Sequence, residues 1–184
     1  MKRWFGLFAV FLVGCSQAAL PVGEYVQAME ATADVYVADS QELSVQYQDQ
    51  VIREITEMAQ SAPPDADSLA VGIARSATTD YLDVLAKQML RFVDDMEALT
   101  PPPDIGEEHD EFVAAVRSVY STMPQTVSDV TQANSLDEIR LALTASGFAD
   151  GQIRWTAACT ALESSVRSLG SGLDIGCVRP QVVP

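Results

Sequence analysis

The sequence predicts an all-α fold: an elongated antiparallel helical bundle of three longer helices plus a shorter C-terminal helical pair. Three observations lead there. Apolar residues recur every three or four positions along most of the 184 residues, which lays one stripe along a helix. Proline clusters at Pro63-Pro64 and Pro101-Pro102-Pro103 cut this pattern into helix-sized pieces, because proline lacks an amide hydrogen and disfavours helix in the residue before it. Nothing strand-like runs for more than a few residues, and no repeat recurs at solenoid periods.

The first predicted helix spans Glu24 to Ala62, with Val26, Met29, Ala33, Tyr36, Leu43, Tyr47, Val51, Ile55 and Met58 on its stripe. At 1.5 Å per residue it would run roughly 58 Å. Such length needs a partner helix, or a break near Asp39-Ser40 where the stripe is weakest. Asp67 or Ser68 can cap the second helix, whose stripe runs from Leu69 through Ile73, Tyr81, Leu85, Met89 and Phe92 to Leu99. The short link between the two predicts antiparallel neighbours.

Asp104 to Glu107 has a capping-box-like spacing, and Glu107, Glu108, Asp110 and Glu111 suit the positive end of a third helix dipole. Its stripe, from Phe112 to Val130, meets Pro124, where a kink or restart is expected. Ser135-Leu136-Asp137-Glu138 is a capping box that opens a short helix ending near Gly147. Asp150 can cap the last helix, with Trp155, Cys159, Leu162, Val166 and Leu169 inward and Gly170-Ser171-Gly172 at its end. The tail from Leu173 to Pro184 is too short for another helix.

Composition fits one domain. Apolar residues make up 48% and aromatics only 7%, so small aliphatic side chains and methionine must fill most of the core. Formal net charge is −15, unevenly spread: six carboxylates and no Lys or Arg lie between Ser16 and Ile52, and eight with none between Phe92 and Val116. That balance excludes nucleic acid as a partner, since binding it depends on basic residues that neutralise phosphates. A solvated surface explains such runs, and a site for cations or a basic partner is the other reading.

The N-terminus is a separate unit. Lys2 and Arg3 precede the apolar run Trp4 to Val13, and then come Gly14 and Cys15. The eleven residues between Arg3 and Cys15 fall short of the roughly 17 to 25 that a membrane span needs. A plain secretory signal has an apolar region of this length. Leu12-Val13-Gly14-Cys15, however, resembles the lipobox of bacterial lipoproteins. That resemblance implies a signal peptide over residues 1–14, a lipidated Cys15 with a tether over residues 15–23, and a bundle domain over residues 24–184. Ser16 in place of aspartate after Cys15 implies the outer membrane, with the domain facing the periplasm. Without Lys2 and Arg3 the charge of −15 becomes −17, so attachment would rest on the acyl chains and not on attraction to anionic lipid. Pro101 to His109 with the downstream Trp155 to Cys159 and Cys177 also resembles, over two short patches, helical envelope lipoproteins. This implies the bundle and no activity.

With Cys15 taken by lipid, Cys159 and Cys177 remain as an even pair in an oxidising compartment, which predicts a disulfide. The reach is sufficient: the helix advances about 16 Å from Cys159 to Gly170, and seven extended residues return up to about 23 Å. Two buried free thiols are the alternative.

Catalytic patterns are missing from the sequence. His109 is the one histidine. Its neighbours at one or two residues point to different faces of a helix, so it reads as a packed helix-start residue and not as a metal ligand or base. No Gly-x-Ser-x-Gly elbow, phosphate loop or EF-hand spacing occurs. No catalytic residue, metal or cofactor is therefore assigned. The expected role is a lipid-anchored binding or scaffolding module for another envelope component, one with a basic face. The alternative is a lipoprotein holding a small molecule or cation between helices, with Tyr36, Tyr47, Tyr81 and Tyr120 near the pocket. Each of these tyrosines lies on an apolar stripe, where aromatics fill cores.

Overall fold

A computed structural model describes residues 18–145 and 147–177. The fold is all-α. In order come α1 (Val22–Ser61), α2 (Ala66–Glu97), a 3-10 turn (Pro103–Ile105), α3 (Gly106–Gln132), α4 (Leu136–Ala145) and α5 (Phe148–Ser168). Cys15 and the signal peptide expected before it lie outside the described residues.

Cross-helix pairs give the directions. Tyr47 meets Thr78, Tyr36 stacks on Phe92 and Leu20 bonds to Thr100, so α2 descends as α1 rises. Arg75 reaches the Ala133 carbonyl while Phe92 meets Phe112, which sets α3 antiparallel to α2. Ser165 donates to Glu108 at the start of α3, and Gly151 sits on Val119 further along, which does the same for α5. The bundle is thus α1–α2–α3–α5 in packing order, and α4 bridges α3 to α5. The C-terminal pair is unequal. At 21 residues α5 is a full bundle helix, and only α4, with 10, is short.

Helix α1 passes through Asp39-Ser40 without a break, because α2 supplies the partner that its length demands. It stops at Ala62, which takes a left-handed φ of 43° ahead of Pro63-Pro64. Three expected starts differ. Asp65, not Asp67 or Ser68, holds the N-cap position of α2. The 3-10 turn from Pro103 to Ile105 precedes α3, which begins at Gly106, and no side-chain cap bond closes either helix. Helix α5 begins after Gly147 (φ 72°), so Asp150 falls in its first turn and is no cap. The Ser135 capping box is present: Glu138 N–H donates to Ser135 Oγ at 3.1 Å, and the Glu138 carboxylate accepts from Asn134 N–H at 2.6 Å.

Pro124 neither ends nor restarts α3. The missing amide leaves one carbonyl of the preceding turn without its donor, while the buried side chains Val119, Met123 and Val130 hold the helix on both sides.

Four aromatic rings tie the bundle together. Phe92 of α2 stacks on Tyr36 of α1 (4.7 Å between centroids), meets Phe112 of α3 edge-on (6.2 Å) and lies against Trp155 of α5 (6.3 Å). Methionines 29, 89, 96 and 123 fill the layers around them, since an unbranched thioether adapts to irregular gaps. The core stops well short of the α1–α2 turn. No residue from Ser44 to Ser61 or from Ala66 to Ser76 is buried, so these segments form a two-helix arm beyond the bundle.

Candidate functional site

Three places among the described residues bring chemistry or exposed apolar surface together: a buried histidine with a hollow beside it, the cysteine pair, and the arm.

His109 lies on the first turn of α3 and is 2% exposed. Its Nδ1 is 2.8 Å from the Tyr25 hydroxyl of α1, and the ring also bonds to the Met96 backbone at the end of α2. A neutral imidazole has one donor and one acceptor nitrogen. With the Met96 carbonyl taking the donor, Nδ1 accepts the tyrosine proton. This arrangement suits the neutral ring, the form that burial favours. Burial lowers the imidazole pKa, against weaker upward pulls from Asp110, the Met96 bond and Glu97. Burial likewise raises the Tyr25 phenol. The ring is a cross-brace among three helices, in keeping with a packed helix-start residue.

Beside it is a hollow of about 250 Å³, bordered by Glu97, Pro101, His109, Asp110 and Arg117. Arg117 is paired with Glu97. Ligand pockets generally start at roughly 300 Å³ and are mostly apolar; this hollow is smaller, and its lining mixes Glu97, Asp110 and Arg117 with Leu99, Val113 and Ala114. A second, of about 20 Å³, touches Tyr36 and Phe92 and has no room for a ligand. The four tyrosines do not converge. Tyr36 is stacked in the core, Tyr47 and Tyr81 pack on each other at 5.2 Å, and Tyr120 lies partly buried against the core from α3.

The Cys159 and Cys177 sulfurs lie at disulfide-bonding distance, with Cα atoms 5.5 Å apart. Cys159 is on α5, and Glu163 follows one turn later. Its Oε1 accepts the Ile175 amide at 3.3 Å and sits 2.8 Å from Cys177 Sγ. An oxidised sulfur has no proton to donate, so the second approach is a contact. Glu30 of α1 accepts the Asp174 amide, and the Leu173 and Ile175 side chains are buried, so residues 171–177 strap α5 to α1. Cys159, Glu163 and Cys177 form the group that could hold a metal ion among the described residues, with ligand atoms within 4.8 Å of one another. Joined sulfurs are not the thiolates that a soft metal requires.

On the arm, Val45 and Ile52 are 58% and 64% exposed. The sequence stripe located the inward face of α1. It did not single out these outward apolar positions, although their seven-residue separation was a readable signal. Among the described residues no helix is long and apolar enough to cross a membrane. No protein-family model, curated protein or solved structure matches this chain.

Proposed function

We propose that the protein is a lipid-anchored envelope module that works by holding another envelope component, with the arm as its contact element. The observation that carries this reading is the course of α1. Leu20 bonds to Thr100 at the base of the bundle, two residues before α1 starts, and α1 then runs 40 residues to the tip of the arm. Leu20 therefore marks one end, from which a lipidated Cys15 would be tethered, and the tip of the arm marks the other, about 60 Å away at 1.5 Å per residue. A helix of that length, paired with α2, would carry a binding surface away from a bilayer. The lipobox resemblance supplies the anchor, the outer membrane and the periplasmic orientation in this reading. The acidic surface supplies the preference for a basic partner.

The experiment has two arms. Cells expressing the parent and the Cys15→Ala variant are fractionated, and the variant is expected to leave the membrane. Retention of the variant overturns the anchor. Crosslinking in whole cells with mass spectrometry is expected to recover a protein partner. A metabolite turned over by the parent and not by His109→Ala would replace binding with catalysis.

A further inference from the structure

The outward face of α1 carries a second line of residues at coiled-coil spacing. Ala38, Gln41, Val45, Gln48, Ile52 and Ala59 all are exposed, and Ile55, partly buried at the edge of the inward stripe, completes the alternation of three and four. An apolar repeat of this kind keeps one seam facing a partner helix; here Val45, Ile52 and Ile55 are its large apolar residues, with Gln41 and Gln48 as polar positions within it. It lies roughly opposite the buried stripe that includes Tyr36 and Leu43, since residues seven apart share a helix face. Of the nine charged residues of α1, eight are acidic, and none falls on this line from Ala38 to Ala59. An outward face with nothing to bind is ordinarily where a helix places its charges.

The two borders differ. Glu42 and Asp49 flank the seam on one side, again seven apart, while the partly buried Val51 and Met58 flank it on the other. Flanking charges choose the partner of a coiled-coil seam. We propose that this seam docks an amphipathic helix of a different protein, with apolar seam residues and Lys or Arg beside them facing Glu42 and Asp49. The seam is about 33 Å long at 1.5 Å per residue, which sets a partner helix of about three heptads. A second copy of this chain fits poorly. Antiparallel pairing sets the acidic border against itself, and parallel pairing sets it against Ser44, Val51 and Met58, which hold no cation. This inference rests on the binding-module reading and adds to it the surface and the class of partner.

The probe is a synthetic three-heptad helix with leucine on the seam and lysine at both flanks, set against the same peptide with glutamate flanks. Both are titrated into the mature chain carrying Cys15→Ser. The lysine peptide is expected to bind and the glutamate peptide not. The Val45→Glu/Ile52→Glu variant should weaken binding at least about tenfold, as loss of central anchors does. That variant is more acidic than the parent, so attraction to bulk charge alone would make it bind more tightly. Equal or tighter binding therefore overturns the proposal. Glu42→Lys/Asp49→Lys should reverse the preference between peptides; an unchanged preference also overturns it. Sedimentation at the same concentrations covers the homotypic case, and a dimer that dissociates in the Val45→Glu/Ile52→Glu variant would replace the foreign helix with a second copy. Photocrosslinkers at Ile52 and at Ile153, an exposed residue of α5, separate this surface from the broader reading. Crosslinks from Ile153 alone remove the seam and leave a binding module, whereas none from either position, with no partner from whole-cell crosslinking, removes both.

Discussion

A neutral His109 is a condition of the fold. Protonation would make both ring nitrogens donors, would turn the Tyr25 hydroxyl from donor to acceptor, and would bury a charge among α1, α2 and α3. The groups that face the ring are the Tyr25 hydroxyl from α1, the Met96 backbone and Glu97 from α2, and Asp110 on α3. Burial outweighs the two carboxylates and holds the folded pKa below its ordinary 6.5. The unfolded state therefore binds the proton first, so this contribution is complete above about pH 6.5 and is lost as pH falls towards the folded pKa. Urea unfolding at pH 7.5 and 5.5 should show a fall in stability that His109→Gln reduces. An identical fall in the variant would assign the whole effect to the carboxylates. Tyr25→Phe should cost about 1–3 kcal/mol, by leaving a buried acceptor without its donor. His109 as a packed residue was legible from its neighbours in sequence; its partner Tyr25, 84 positions away, was not, because local spacing holds no record of which helices meet.

At the scale of elements, two glycines in helices differ only in what surrounds them. A Cβ at Gly151 would stand 3.0 Å from Val119 Cγ2 and 3.4 Å from Val119 Cα, so α5 approaches α3 through the absence of a side chain. At Gly72, on the arm, a Cβ would meet nothing within 4 Å. Gly72→Ala should then stabilise by up to about 1 kcal/mol through helix propensity. Gly151→Ala has the same propensity gain but must displace packed atoms, an overpacking cost of about 1–3 kcal/mol, and should be neutral or destabilising. Denaturation midpoints of the two variants check the ordering. The strap over residues 171–177 ends in the cysteine pair. A peptide map without reductant should recover Cys159 and Cys177 joined, and reduction should cost roughly 3 kcal/mol for a loop of this size in the chain-entropy model. Helix starts were the least legible elements. Asp67, Ser68 and Asp150 are good caps by type, but the turn geometry at Asp65 and Gly147 placed each start elsewhere.

Across the whole molecule, burial runs out along α1 and α2. The aromatic hub around Phe92 joins four helices, whereas the arm beyond Leu43 and before Ala77 has two helices and no buried residue. Local stability follows burial. Amides of Ser44–Ser61 and Ala66–Ser76 should exchange hydrogen through local openings, many times faster than those around Phe92, Phe112 and Leu162. Uniform protection in an exchange experiment would mean that the arm is covered in solution.

What the sequence determined by itself was the all-α class, the long first helix and its antiparallel neighbour, and the capping box at Ser135. Each of these is written within a few turns of chain, in period, proline position or capping chemistry. Pairing Cys159 with Cys177 needed reach, together with the lipobox resemblance that takes Cys15 out of the count. Tertiary structure alone decided that α5 joins the bundle as a full member, that α3 continues through Pro124, that Tyr25 completes His109, and that α1 outruns its core. Those outcomes depend on which faces meet across tens of residues. The outward seam on α1 belongs to both: its spacing is in the sequence, but only the fold shows that nothing within the described chain covers it. A repeat of three and four marks an apolar line without saying whether the protein itself or a partner buries it.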